Sequence, residues 1–414
     1  MAFKDYLEQE IINLTNKEEG NSFFTDALEQ FRQMGFPTLK DEHWKYTPLN
    51  FLFRNEFHLL KESISSELNI DEILASYYIP NNSNIIIIKD GYFLSPHLID
   101  DENIQFAILG NTHITPSTDP KINSINNNIF GLLNGTFQNE LITMNIKNET
   151  KPVVILNLST GSNSFVNPNI TINLHPNSKS EIYWYNLTLG EGNLSNASLN
   201  INLSENSRLT FHDIQNNPLI FYTVNNIQIS QEANSDLNYH SFLFQTKFSR
   251  NNFKIELNGS GIESKLFGLF IGKNDSIVDN HILMSHNMPH CHSNQFFKGI
   301  IEDTSRGVFN GKVLVKKDAQ KTDAYQSNKN ILTTKEASIF TKPELEIYAD
   351  DVKCSHGATS GFLQEDELFY LMSRGIGQKE SKSLLLKAFA NEVIDKVENE
   401  DFREWLHSKL DEVI

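Results

Sequence analysis

A short strand-like motif recurs in the middle of the chain at a spacing of 29 residues. Residues 170–174 read Ile-Thr-Ile-Asn-Leu and are followed by Asn-Ser-Lys at 177–179. Residues 199–203 read Leu-Asn-Ile-Asn-Leu and are followed by Asn-Ser-Arg at 206–208. A strand-type unit repeating at this interval predicts a β-solenoid, because each coil can bury its apolar face only against its neighbours.

Two weaker copies extend the pattern. Ile227-Gln228-Ile229 begins 26 residues after Ile201, and Ile255-Glu256-Leu257 begins 28 residues after Ile227. Because the interval varies, no strict hexapeptide rule applies. Short alternating runs separated by Asn, Ser and Gly clusters also suit an antiparallel sandwich, so the period alone leaves both folds open.

The apolar residues follow a helical period at both ends of the chain. Two helical stripes precede Gly35 and Pro37, which together supply a stop signal. Around Asp90-Gly91 the pattern changes to two short strands joined by a turn. After about residue 360 three amphipathic stretches follow. The plain interpretation of this C-terminal unit is a cap over the open end of the sheet, and the sharper one is a surface for a partner protein.

We therefore expect a mainly β protein in three parts, with a mixed N-terminal region over 1–150, a β core over 151–360 and a C-terminal helical domain over 361–414. The net charge of −17 makes nucleic acid and anionic membranes poor partners. Two cysteines in 414 residues cannot form a disulfide framework. With no signal peptide and no apolar run of membrane length, the sequence predicts a soluble cytoplasmic protein.

Motifs for nucleotide or ester chemistry are absent from the sequence. There is no phosphate-binding loop of the Gly-x-x-x-x-Gly-Lys-Ser/Thr type, no Gly-x-Gly-x-x-Gly and no Gly-x-Ser-x-Gly. We therefore expect no nucleotide hydrolysis by this chain.

Four potential metal ligands lie within seven residues, at His286, His290, Cys291 and His292. Imidazole and thiolate are the usual ligands of zinc and iron. On a strand His290 and His292 would share a face, whereas Cys291 would point away from it. Because nothing nearby completes a tetrahedral set, we favour polar loop residues between two coils over a metal site.

A second cluster contains Cys354 and His356, two residues apart. On a strand they share one face at a separation of about 7 Å, which places a soft sulfur donor beside an imidazole. Such a pair suits iron or sulfur chemistry, but it needs further ligands from elsewhere or from a second chain. Asp350 and Asp351 could instead hold a divalent cation or end a strand. Taken as residues alone, Cys354 and His356 also fit a packed thiol and a hydrogen-bonded imidazole.

The segment around this cluster resembles a known family signature. The block 342–359, Lys-Pro-Glu-Leu-Glu-Ile-Tyr-Ala-Asp-Asp-Val-Lys-Cys-Ser-His-Gly-Ala-Thr, is similar to that of the SufB/SufD family. Further similar segments are 298–300, 307–312, 319–324 and 368–376, together with Trp-Lys-Tyr-Thr at 44–47. The SufD branch is favoured, because the chain lacks the additional cysteines usual in SufB and carries Cys-Ser-His-Gly at 354–357.

The resemblance implies a right-handed parallel β-helix core flanked by N- and C-terminal helical regions. It implies a non-ATPase scaffold subunit of the SufBCD iron–sulfur cluster assembly complex, which contributes to cluster building and iron acquisition. The chain would pair with a SufB-like paralogue through the β-helix and dock a SufC-like ATPase through its C-terminal helices. His356, with Cys354 beside it, would lie at a transient iron–sulfur cluster shared with SufB. A reduced flavin is implied for the complex, with no residue assigned to it.

Two other functions are alternatives to this hypothesis. Parallel β-helices also host polysaccharide lyases and hydrolases, for which Asp350, Asp351 and Lys353 could serve. A purely structural subunit without ligand residues is the second alternative. An isolated chain could also form a homodimer, because an unpaired sheet edge invites pairing.

Overall fold

A computed structural model describes residues 3–17, 22–60, 68–98, 101–110 and 128–414. The N-terminal part combines short helices with a few strands. Its elements are α1 (Phe3–Lys17), α2 (Ser22–Met34), a 3-10 turn (Glu42–Trp44), α3 (Phe51–Arg54), β1 (His58–Leu59), α4 (Ile70–Ala75), β2 (Asn84–Lys89), β3 (Tyr92–Leu98), β4 (Ile104–Gly110) and α5 (Ile129–Phe137).

The remainder consists of consecutive strands followed by three helices. The strands are β5 (Glu140–Ile146), β6 (Val153–Ser159), β7 (Ser164–Val166), β8 (Asn169–Leu174), β9 (Lys179–Thr188), β10 (Asn193–Leu203), β11 (Arg208–Asn216), β12 (Phe221–Gln231), β13 (Asp236–Gln245), β14 (Phe248–Leu257), β15 (Glu263–Gly272), β16 (Ile277–His286), β17 (His292–Ile301), β18 (Arg306–Val315), β19 (Asp323–Leu332), β20 (Ser338–Ile347) and β21 (Lys353–Phe362). The helices are α6 (Glu365–Ser373), α7 (Gln378–Ile394) and α8 (Glu400–Val413).

From β8 onward the strands alternate between two sheets, so that each coil contributes one strand to each. The first sheet runs β20-β18-β16-β14-β12-β10-β8-β5-β4, and the second runs β21-β19-β17-β15-β13-β11-β9-β6-β2-β3. Neighbours within the coils pair in parallel, and antiparallel pairs occur only at the N-terminal ends of the sheets, β4 with β5 and β2 with β3, within the described residues. The parallel β-solenoid is therefore confirmed, with about eight turns, and the antiparallel sandwich is wrong.

The repeat found in the sequence corresponds to strand register. Ile170–Leu174 pair with Leu199–Leu203, which confirms the 29-residue spacing as one coil. The two weaker copies are displaced by two residues, because Ile201 pairs with Ile229 and Ile229 pairs with Ile255. Side chains on a strand repeat every two residues, so this slip keeps the same face and could not be detected from hydrophobicity.

A row of left-handed residues marks one corner of successive coils. Asn177, Asn206 and Asn234 have φ between 56° and 62°. Asn206 Nδ2 donates to Asn177 Oδ1 at 3.2 Å, and Asn234 Nδ2 donates to Asn206 Oδ1 at 3.3 Å. Asn tolerates the left-handed conformation, and its amide side chain can stack in a ladder from coil to coil. The Asn clusters between apolar runs are therefore the turns of the solenoid.

Helices α7 and α8 pack on the outer face of the second sheet, beside β13, β15 and β17. Their buried residues form one cluster with Phe242, Leu269 and Ile300. The prediction that the C-terminal helices cap the open end of the sheet is therefore wrong: they cover its flank, where a stripe of apolar side chains needs a cover. The last coil, β20 and β21, stays half-buried to exposed.

The sheets extend beyond the predicted core. β2 joins the second sheet in parallel with β6, and β5 joins the first sheet beside β8, although both precede residue 150. The division at residues 150 and 360 stays a prediction. In the described part of the chain, no helix combines the length and apolar character needed to cross a membrane.

Candidate functional site

Cys354 and His356 lie on β21, the last strand of the second sheet. They pair with Ala324 and Gln326 of β19, whose side chains are buried inside the solenoid. Cys354 is half-buried and packs against the solenoid interior, whereas His356 is exposed. Because alternate residues share a face, both side chains lie on the interior face of the last coil, which no further coil covers among the described residues. A thiol and an imidazole therefore stand together on the uncovered last coil.

The interior beneath His356 is polar, whereas Cys354 lies above Ala324. Gln326 Nε2 donates to Gln295 Oε1 at 2.9 Å, while Gln326 Oε1 is buried without a hydrogen-bond partner. Further along the coil, Asn330 Nδ2 donates to Ser360 Oγ at 3.2 Å. A buried carbonyl oxygen without a partner is costly and suits a site that receives a donor or a cation. Gln326 and Gln295 were not singled out from the sequence, because only the coil register brings them under His356.

The Cys354 thiol is not activated in the isolated chain. Burial raises its pKa, the backbone N–H of Ala324 lowers it, and the nearby Asp323 carboxylate adds a smaller upward shift. The thiolate is the form that binds metal and attacks sulfur. Cys354 therefore needs an approaching cation or a positively charged neighbour before it can act as a ligand.

The described residues do not complete a metal site on their own. No group of three or more His, Cys, Asp or Glu side chains in the described ranges is placed to hold a metal ion. Asp351 instead pairs with Lys321 across the neighbouring turn, which agrees with a structural role at the strand entry. Two donors on an open end leave coordination positions free for a second molecule.

The two edge strands of the last coil differ in what they offer a partner. β20 contains Pro343, which removes a backbone donor and discourages addition of another strand. β21 contains no proline and ends the second sheet, with β19 as its one strand neighbour in the described part of the chain. The exposed edge of β21 is therefore the one open to pairing.

Exposed apolar side chains continue from this end onto α6. No residue of α6 is buried, and Phe369 is 74% exposed, with Tyr370 at 58% and Met372 at 42%. Apolar patches of this kind mark surfaces for other proteins. The sequence had grouped α6 with the other two C-terminal helices, but of these three only α7 and α8 bury apolar residues.

The residues of the 286–292 cluster do not converge. His286 is buried, with Nε2 2.8 Å from Ser293 Oγ, and burial lowers its pKa to about 4. Cys291 is also buried, and its Sγ contacts the backbone oxygen of Gly259 at 3.2 Å. His290 has φ +60° and occupies the corner position that Asn234 fills earlier, while His292 is exposed. The interpretation as turn residues between two coils fits this geometry.

The comparisons with known proteins agree with this fold. The chain matches the family model for the SUF system FeS cluster assembly SufBD core domain over residues 157–389, and that for the SufBD protein N-terminal region over residues 4–97. It is 29% identical over 413 residues to the iron–sulfur cluster assembly protein SufD of Escherichia coli, covering 92% of this chain and 90% of that protein.

Two shorter alignments point the same way. A SufBD family protein of Synechocystis is 42% identical over 151 residues, which cover 36% of this chain and 33% of that protein. The chloroplastic protein ABCI7 of Arabidopsis thaliana is 35% identical over 179 residues, which cover 42% of this chain and 37% of that protein.

Fold and site together define a β-solenoid protein that carries a thiol–imidazole pair on its open end. The core family model covers more than half of the residues. The chain belongs to the SufBD family of iron–sulfur cluster assembly proteins and is similar to SufD.

Proposed function

We propose that this chain is a SufD-like scaffold subunit of a SufBCD-type complex and carries no catalytic activity of its own. The observation that supports this most directly is the position of Cys354 and His356 on the open last coil. A partner that pairs with β21 would bring its own ligands next to both side chains. An iron–sulfur cluster would then be the cargo of the joined site, with neither chain able to hold it alone.

The partner at this end is a SufB-like paralogue. The free edge of β21, which ends the second sheet, supports strand pairing with it, and an isolated chain would use the same edge to form a homodimer. Iron acquisition by the complex would follow from the donors at this junction, since soft sulfur and imidazole ligands both suit iron. A reduced flavin stays an expectation to which no residue is assigned.

The ATPase partner is a SufC-like subunit that docks on the C-terminal helices. The exposed Phe369, Tyr370 and Met372 of α6 support this placement. Closure of two ATPase copies would move these helices and, through α7 and α8, the solenoid against its partner. Because α7 and α8 are packed on β13, β15 and β17, such a motion would reach the coils directly.

The proposal is tested by co-expressing the chain with the SufB-like and SufC-like subunits and analysing iron and sulfide anaerobically after purification. We expect His356→Ala to form the complex but to lose its cluster, and Cys354→Ala to reduce cluster content. His175→Ala removes an exposed imidazole between β8 and β9, far from the last coil, and serves as the control. Unchanged iron and sulfide in His356→Ala would remove His356 from the mechanism, and unchanged content in both variants would favour a purely structural subunit.

Docking of the ATPase is tested separately. Phe369→Ala is expected to weaken co-purification of the SufC-like subunit while leaving the SufB-like chain bound. Phe53→Ala removes another aromatic side chain that is 61% exposed, in the N-terminal region, and is the matched control. Equal ATPase binding in both variants would place the docking surface elsewhere.

A further inference from the structure

The segment 41–48 crosses the outer face of the first sheet toward its last strand. It contacts four neighbouring strands in turn: β14 at Arg250, β16 at Asp279, β18 at Arg306, and β20 at Phe340 and Lys342. Arg250, Asp279, Val308 and Phe340 occupy one register row across these strands. A single short segment therefore runs across the coils, perpendicular to the strands.

One end of this segment is anchored in a buried polar network. The Arg250 guanidinium lies 4.2 Å from the centre of the Trp44 ring and donates to the backbone oxygen of His43 at 2.8 Å. Arg250 also pairs with Asp279, to which the Thr47 hydroxyl donates. Both charged side chains are almost completely buried, so their pairing fixes the segment firmly to β14 and β16.

The other end of the segment contacts β20, the last strand of the first sheet. The Tyr46 ring stacks on the Phe340 ring, with centroids 4.0 Å apart and an interplanar angle of 9°. Arg306 Nη1 donates to the Tyr46 backbone oxygen at 3.0 Å, and Lys342 Nζ lies 2.7 Å from Glu42 Oε1. β20 is bonded to β18 on one side only, since it ends its sheet. These contacts supply support that a following coil would otherwise give.

We propose that residues 41–48 form a brace that holds β20 in place and so keeps the last coil ready for its partner. The contacts within this chain support the brace, whereas the identity of the partner rests on the proposed function. Tyr46 is a positioning residue: it contacts neither Cys354 nor His356, and it acts through β20, which leads by one turn into β21.

The test combines amide exchange of the isolated chain with its affinity for the SufB-like chain. We expect Tyr46→Ala to speed exchange in 338–347 by about tenfold, as loss of one aromatic stack allows, and to weaken partner binding by a similar factor. Tyr46→Phe keeps the ring and should restore both values. Lys342→Gln, a milder change, should speed exchange in the same segment by a smaller factor.

Phe51→Ala is the matched control. The Phe51 ring stacks on the Tyr222 ring of β12, with centroids 4.5 Å apart and an interplanar angle of 8°. The substitution therefore removes a similar contact between the N-terminal region and the same sheet, far from the last coil. It should lower overall stability without changing exchange in 338–347 or partner affinity. The brace is overturned if Tyr46→Ala leaves amide exchange in 338–347 unchanged, or if this variant speeds exchange equally in β12 and β20.

These outcomes remain separate from those of the proposed function. Suppose that Tyr46→Ala speeds amide exchange in 338–347 alone, while His356→Ala keeps its cluster. This pair of results would support the brace and refute the cluster site. The reverse pair of results would refute the brace alone.

Discussion

Lys298 Nζ lies 2.8 Å from Glu392 Oε1, and this ion pair joins β17 to α7. The Lys298 side chain is completely buried, while that of Glu392 is about half exposed. The ammonium also donates to the Phe389 backbone oxygen at 2.9 Å and lies 4.0 Å from the centre of the Phe389 ring. Burial lowers the pKa of Lys298, and its pairing with Glu392 opposes that shift. The pair therefore fixes α7 to the sheet at one defined place.

Glu392→Gln should destabilise the fold, because it leaves a buried ammonium with only neutral acceptors. We expect a loss of about 1–2 kcal/mol in the free energy of unfolding, less than for a fully enclosed pair since Glu392 is partly solvated. Urea denaturation measures the change. Glu400→Gln, which touches a surface pair with Arg403 at 3.8 Å, is the control and should change stability by less than about 0.5 kcal/mol. Equal losses in both variants would contradict the assigned role of the buried pair.

Stability should depend on pH through His286. Burial lowers the pKa of this imidazole to about 4, whereas its ordinary value is 6.5. Between these values the unfolded chain binds more protons than the folded chain, so stability is complete above pH 6.5 and falls as the pH drops toward 4. The contribution of this residue is about 3 kcal/mol. Unfolding curves measured between pH 4 and pH 7.5 test it.

His286→Leu should flatten this pH dependence. The same interior position holds Leu257 in the preceding coil and Val315 in the following one, so an aliphatic side chain fits the register. Some slope will remain, because burial also lowers the pKa of His212 and of His240. His175→Ala, which removes an exposed imidazole several coils away, is the control and should leave the slope unchanged. A variant profile as steep as that of the parent would show that His286 is not the titrating group.

Substitution by alanine should affect stability differently at two glycines, Gly299 and Gly361. A Cβ at Gly299 would meet Asn330 Oδ1 and the Phe270 ring at 2.5 Å, inside the packed solenoid. Gly299→Ala is therefore expected to cost about 1–3 kcal/mol through overpacking. A Cβ at Gly361 meets nothing within 4 Å, so Gly361→Ala should be neutral or stabilise by up to about 1 kcal/mol. Thermal unfolding compares the two, and a neutral Gly299→Ala would contradict the close packing seen here.

The two cysteines should differ in reactivity toward a thiol reagent. Cys291 is completely buried, whereas Cys354 is half-buried on the edge strand. Burial raises the pKa of both thiols, so labelling should be slow near neutral pH and faster as the pH rises toward 9 and above. Mass spectrometry of the labelled protein should find Cys354 modified first. Binding of the SufB-like chain should protect Cys354, and unchanged labelling in the complex would place the interface elsewhere.

Much of the architecture could be predicted from local pattern. The 29-residue repeat is one coil because neighbouring strands stack in register, and the Asn-Ser pairs after each motif are its corners. Gly35 follows α2 with φ +59°, as a helix stop signal requires. These features depend on residues close in sequence or on a simple period, which is why hydrophobicity and turn residues reveal them.

Other features could not be read from pattern. Because side chains alternate every two residues, the hydrophobic pattern does not change when the register of the weaker repeats slips by two residues. The amphipathic pattern of the C-terminal helices likewise fits a cover over either the end or the flank of the sheet. At 286–292 the sequence favoured turn residues over a metal site, but spacing along the chain could not show which of the four side chains turn inward. The four donors divide between the interior, a corner and the surface.

The sequence by itself determined the repeating strand unit, the helical ends and the signature that contains Cys354 and His356. The tertiary structure alone decided that this pair stands on an uncovered last coil above Gln326, and that residues 41–48 reach across four strands to support it. The physical reason is distance along the chain. Lys342 and Glu42 are 300 residues apart, and only the stacking of coils, which sums many weak local preferences, brings them into contact.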